Sequence, residues 1–153
     1  MECSPIIIAA GALCIASAAA ARSFDVIHAK RTGTYRSIDK LYVATLKIGE
    51  GEAGELKVFN ADNLKERPIM SETDVTGLIW DPGMRHRLIY SESAIYGDGK
   101  IVLWDGIKLR TIYRGNEVIE DLRWDRTSHQ LQFKVLDLNQ DGNVWKQKRI
   151  KFK

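Results

Sequence analysis

Beyond residue 40 the chain alternates apolar and polar residues over short runs. The stretches VTGLIW (75–80), RLIYSESAI (87–95), KIVLW (100–104) and KLRTIY (108–113) are rich in β-branched and aromatic residues, and Gly, Pro or Asp sits between them. Period-two runs of this length, punctuated by turn formers, predict strands joined by hairpins. LYVATLKI from Leu41, GEAGELKVF from Gly51, QLQFKVLDL from Gln130 and QDGNVWKQ from Gln140 extend the same pattern. Past the N-terminal segment no stretch carries a helical stripe, so the expected fold class is all-β.

The pattern repeats. VTGLIWDPGMRHRLIYSES begins at Val75 and VIEDLRWDRTSHQLQFKVL at Val118, so that Trp80-Asp81 and Trp124-Asp125 lie 44 residues apart. A fainter copy lies upstream, where Gly54, Gly99 and Gly142 follow one another at 45 and 43 residues. Three units of this period predict three antiparallel sheets stacked like propeller blades. The second unit has all four strands. The first lacks an obvious opening strand, which SFDVIHA from Ser23 could supply, and the third reaches Lys153 without a fourth. Three blades fall short of the usual minimum of about four in a closed ring. The expectation is therefore a partial propeller or one closed by a second chain, with a β-sandwich as the alternative.

The Trp-Asp-turn-Leu-x-[Tyr/Phe] unit, followed by a glycine hairpin and an aliphatic strand, resembles blades of the TolB-like exported propellers and, more loosely, of WD-repeat propellers. The resemblance covers residues 75–153 chiefly and 39–70 faintly. Where that family writes Ser-Pro-Asp-Gly after the Trp, Asp81-Pro82-Gly83 keeps part of the turn and Asp125-Arg126-Thr127-Ser128 almost none. The resemblance implies blade architecture.

The leader modifies this picture. Residues 1–21, MECSPIIIAAGALCIASAAAA, carry one acid and no base, with A-x-A sites near Ala18 and Ala21, as an export signal helix does. About 17 apolar residues fall short of the ~20 a membrane span needs, although Glu2 and the basic residues after Ala21 also suit an uncleaved anchor. The expected division is a signal peptide or anchor at 1–21 and a single repeat domain at 22–153. The product would be periplasmic or extracellular, with no stable span after cleavage. Both cysteines, Cys3 and Cys14, fall in the leader, so no disulfide framework supports the remainder. Loss of the leader raises the formal charge from +3 to +4, because it removes Glu2 alone. That excess, in an exported chain, argues against nucleic acid and allows only weak contact with an anionic membrane surface.

Candidate chemistry is sparse. DLNQDGN (137–143) has the spacing that opens a calcium loop, with Asp137, Asn139 and Asp141 as oxygen ligands and Gly142 at the sharp turn. Trp145 and Lys148 occupy positions nine and twelve, where the latter should be a bidentate Glu. The stretch is expected first as a tight hairpin and second as a weak calcium site, calcium being the one cofactor raised. His86 and His129 occupy matching turns, and Trp104 and Trp145 lie at odd offsets from their glycines, hence on one face of equivalent strands. These four are the candidate binding residues, and core packing is the competing role for the tryptophans. No nucleophile elbow or HExxH pattern is present, so no catalytic residue is assigned and the chain is expected not to be an enzyme. Lysines of the closing WKQKRIKFK would guard a sheet edge or meet lipid headgroups. The expected function is binding or scaffolding through a protein partner or self-association, with a small secreted hydrolase or lectin-like domain as the rival.

Overall fold

The computed structural model describes residues 32–47, 55–63, 66–68, 75–83, 87–94, 97–138 and 144–152. The leader, SFDVIHA and EGEAG (50–54) lie outside them. Among the described residues there is no helix; three antiparallel sheets follow one another along the chain. The first contains β1 (Gly33–Arg36), β2 (Tyr42–Lys47), β3 (Glu55–Asn60) and β4 (Glu66–Pro68). The second contains β5 (Val75–Trp80), β6 (Leu88–Ala94), β7 (Gly97–Trp104) and β8 (Leu109–Gly115). The third contains β9 (Glu117–Asp125), β10 (Gln130–Asp137) and β11 (Trp145–Lys151). Each is an up-and-down meander in which every strand pairs with its sequence neighbour.

All four strands expected in the second unit form. The first unit does have an opening strand, GTYR of β1, which its sequence hides. Four residues with a Gly and an Arg carry no apolar signature, and pairing of Gly33 to Arg36 with Leu46 to Val43 holds them extended.

Alternation decides how the sheets stack. From the middle sheet, Leu78, Trp80, Leu88, Tyr90, Val102 and Trp104 point toward Ala44, Leu46, Leu56 and Val58 of the first sheet and form one core. The interleaved Ile79, Ile89, Ile101 and Leu103 point the other way, onto Ile119, Leu122, Trp124, Leu131, Phe133 and Val135 of the third. A sheet covered on both faces must be apolar at successive positions. This is why LIW, LIY and IVLW occur in the middle unit alone. In β10 the pattern instead alternates buried Leu131, Phe133 and Val135 with Gln132 and Lys134, and in β2 buried Ala44 and Leu46 alternate with Val43, Thr45 and Lys47. Polar outer faces on terminal units end a stack, as capping repeats do.

The crossing from the second sheet to the third takes one residue, Asn116. It requires glycines beneath it. A Cβ at Gly97, whose φ is +105°, would lie 2.7 Å from the Asn116 carbonyl oxygen, and one at Gly99 would run into the Glu117 carbonyl.

The two candidate binding tryptophans do not share a face. Trp104 ends β7 opposite Leu88 and points into the first core, whereas Trp145 begins β11 opposite Leu136 and points away from the stack. The cause is hairpin length: residues 95–96 separate β6 from β7, but 138–144 separate β10 from β11. The offset from a glycine therefore does not measure register.

Candidate functional site

The turns that follow β1, β5 and β9 lie at one end of the stack, and each is closed by an aspartate. Asp39 Oδ1 accepts the Leu41 N–H at 3.1 Å and the Ser37 hydroxyl at 2.6 Å. Asp81 Oδ1 accepts the Gly83 N–H at 2.8 Å, while Oδ2 accepts Arg87 Nε at 2.6 Å. Asp125 Oδ1 accepts Thr127 and Ser128 N–H groups at 2.9 and 3.3 Å, with Gln132 Nε2 at 3.3 Å from Oδ2. A carboxylate that bonds backbone two residues ahead replaces a backbone turn. The recurring Trp-Asp pair thus has a local cause: the Trp is the last core residue of a strand and the Asp folds the chain back. Trp104-Asp105 is a third such pair that comparison of the repeats missed. Its carboxylate accepts Lys108 and Ile107 N–H groups at 2.8 and 3.1 Å, and these two bonds hold it below the ordinary carboxylate range.

Three of these turns converge. Ile38 from the first sheet, Pro82 and Gly83 from the second, and Trp124, Arg126 and His129 from the third enclose a pocket of about 340 Å³. Near these turns the sheets are tied to one another. Trp80 Nε1 donates to the Tyr35 carbonyl at 3.0 Å, Arg87 lies 5.1 Å over the Phe152 ring, and Phe152 packs 5.1 Å from Trp124. Asp81, which precedes Pro82, is fully buried and ion-paired with Arg87. Two polar atoms of the third sheet's turn are buried without a hydrogen-bond partner: Trp124 Nε1 and Ser128 Oγ.

Among the residues singled out by sequence, His129 reaches this pocket, exposed and in the left-handed region at φ 50°. Its counterpart His86 lies outside the described residues. Trp104 is 4% exposed, edge-on to Tyr42 at 5.1 Å and to Trp80 at 6.4 Å. Trp145 is 42% exposed on the outer face of the third sheet, in a row with Leu136 and Val118. Asp137 ends β10 opposite Glu117, and Asn139 and Asp141 lie outside the described residues. Among the described residues no group of three His, Cys, Asp or Glu side chains is placed to hold a metal.

A second polar cluster joins β8 to the third sheet. Lys148 Nζ stands 2.5 Å from both Glu117 Oε1 and the Tyr113 hydroxyl, which donates to Glu117 Oε2 at 2.7 Å. Burial alone would push the Glu117 carboxyl up, but the Lys148 and Tyr113 hydrogen bonds outweigh it and hold the carboxyl below its ordinary range. Burial would likewise lower Lys148, yet bonding to Glu117 and Tyr113 raises it. The Tyr113 phenol is raised, by burial first. A lysine and a phenol both held protonated against a carboxylate make an ion-pair lock between sheets. Deeper in the first core, Glu92 is 1% exposed and pairs with Lys100 at 3.0 Å, while the Tyr90 phenol is raised by burial first and by the neighbouring Glu92 charge second.

Comparison with protein-family models, curated proteins and solved structures found no match for this chain.

Proposed function

We propose that the chain is an exported, non-enzymatic recognition module, built of three propeller-type blades, that binds its ligand at the turn end of the stack. The observation that carries this is the convergence of three turns, one from each sheet, on a single pocket of ligand size. Rigid sheets hold the loops, and the loops differ between units, which is how specificity is placed on a repeated scaffold. Trp80 and Arg87 tie the middle sheet to its two neighbours near the same turns. Export rests on the composition of residues 1–21.

The mostly polar outer faces of the first and third sheets favour an open three-sheet stack over closure into a ring by a second chain. One strip departs from that polarity. Trp145, with Leu136 and Val118 beside it, offers a flat aromatic face that favours a carbohydrate platform as the second reading.

The test is a small-molecule fragment screen by amide chemical-shift perturbation. Shifts gathered at Ile38, Gly83, Arg126 and His129 support the module. Binders that move only Trp145 and Lys146 transfer the function to the outer face, and a screen with no binder at either surface rejects both.

A further inference from the structure

We infer that the turn end of the stack docks onto an anionic lipid surface, with the β1–β2 and β7–β8 turns carrying apolar tips in among the headgroups. Ile107, in the turn between β7 and β8, is 84% exposed. Leu109, two residues on, is 46% exposed, and Ile38 and Leu41 of the turn between β1 and β2 are 52% and 46% exposed. None of the four belongs to either core. They make up four of the seven large apolar side chains exposed among the described residues. The two turns are neighbours: Tyr42, next after Leu41, stands edge-on to Trp104 at 5.1 Å, and Trp104 leads into the turn that carries Ile107.

Backbone and charge both point to lipid as the occupant. Below the headgroups there is little water to bond a bare peptide group, so a segment that enters must satisfy its own. Asp105 Oδ1 accepts the Ile107 and Lys108 N–H groups, Asp39 Oδ1 accepts that of Leu41, and the Ser37 carbonyl accepts that of Lys40 at 3.0 Å. The exposed charged residues in and next to the turns at this end are Arg36, Lys40, Lys108, Arg110 and Arg126, against Asp62 among the described residues. Asp39, Asp81, Asp105 and Asp125 are folded back onto N–H groups of their own turns, and Arg110 lies close enough to Asp105 to favour its charged form. Lys40 and Lys108 each stand beside an apolar tip, where the stem can enter with the tip while the ammonium stays at phosphate level. Apolar area and cations presented together are what holds a protein in a lipid interface. The pocket lies at the same end, so docking leaves it facing the headgroups, but the docking does not need it filled.

The probe is a phosphatidylcholine nanodisc with about 30% phosphatidylglycerol, compared with one of phosphatidylcholine alone, each carrying a nitroxide on its headgroups. Paramagnetic broadening of amide signals maps the surface that faces lipid, whatever residues 1–21 contribute to holding the full chain there. The amides of Leu41, Ile107 and Lys108 are expected to broaden on the anionic disc, and those of Trp145 and Lys146 to stay sharp. Ile107→Ser should weaken binding to the anionic disc about tenfold, and Lys108→Gln about fivefold. Trp145→Thr should leave it unchanged. Broadening centred on Trp145, or affinity lost with Trp145→Thr and kept with Ile107→Ser, overturns the inference in favour of the outer face of the third sheet. Equal affinity for the two discs overturns it too, as does a concentration-dependent mass that Ile107→Ser abolishes, which would make a second copy the occupant. Fragments that bind the pocket without lipid leave its role standing if docking fails, and an empty fragment screen alongside the expected broadening rejects the pocket and leaves the docking.

Discussion

The indole nitrogen of Trp80 lies 3.0 Å from the carbonyl oxygen of Tyr35, 45 residues earlier, and this bond fastens the second sheet to the first at their turn ends. Trp124 occupies the same place in the next unit without such a bond. Both side chains are buried, so replacing either by Phe removes similar area. Trp80→Phe should therefore cost about 1 kcal/mol more than Trp124→Phe, the worth of one buried hydrogen bond. Paired urea unfolding curves measure the difference, and equal losses would show that the Tyr35 contact contributes nothing.

The Asp of each Trp-Asp pair closes a turn, but only Asp81 is also the buried partner of a cation. Asp81→Asn leaves the Arg87 guanidinium, 15% exposed, without its counter-charge and should cost about 3 kcal/mol. Asp125→Asn keeps the acceptor that Thr127 and Ser128 use, gives up the one that Gln132 uses, and should cost about 1 kcal/mol. Thermal midpoints of the two variants, measured side by side, would have to coincide for the distinction to be wrong.

The Glu117–Lys148 pair predicts a pH window. Glu117, depressed below its ordinary 4.5, contributes stability that is complete above that value and fades as pH falls through the lower, folded-state value. Lys148, raised above 10.5, contributes stability that is complete below that value and fades as pH climbs through the raised one. Because the Lys148 side chain is 37% exposed, solvent screening limits the coupling to about 0.5–1 kcal/mol. A double-mutant cycle with Glu117→Gln and Lys148→Met should find that coupling at pH 7 and see it fade as the pH falls through the lowered Glu117 value. Coupling that is independent of pH would mean packing, not charge, joins the strands.

Register separates the tryptophans. Trp104→Ala empties a core site and should cost about 3–5 kcal/mol, while Trp145→Thr on the outer face should change stability by less than about 0.5 kcal/mol. Acrylamide should quench Trp145 most strongly among the four, and Trp145→Phe should abolish most of that quenching. Strong residual quenching in the variant would place a second indole at the surface.

Gly99 is required by approach rather than by φ. An added methyl would meet the Glu117 carbonyl oxygen and, at 2.7 Å, the Ile119 side chain, because the backbone crosses from the second sheet to the third at that point. Gly99→Ala should cost about 2–3 kcal/mol by overpacking. Gly83→Ala, whose Cβ would find Asp81 Oδ1 at 3.4 Å, serves as the tolerant control, and comparable losses at both sites would discount the crossing.

Strands, hairpins and the three-unit division were legible in the sequence because their causes are local. A period of two buries alternate side chains, and an Asp after a terminal Trp turns the chain whatever lies beyond it. The unbroken apolar runs of the middle unit even record that both of its faces are covered. β1 was not legible, since GTYR carries no pattern and is a strand only because β2 lies beside it. Nor was the Glu117–Tyr113–Lys148 lock, which joins three strands whose proximity no spacing reports. His129 was singled out by its repeat position, but Ile38, Pro82, Trp124 and Arg126 were not connected with it, for they lie on turns up to 91 residues apart in the chain. The sequence by itself determined which segments are strands and where the chain turns. Tertiary structure alone decided which sheet each buried face meets, which tryptophan is exposed and what the turns enclose, because hairpin length and sheet stacking set the register between residues far apart.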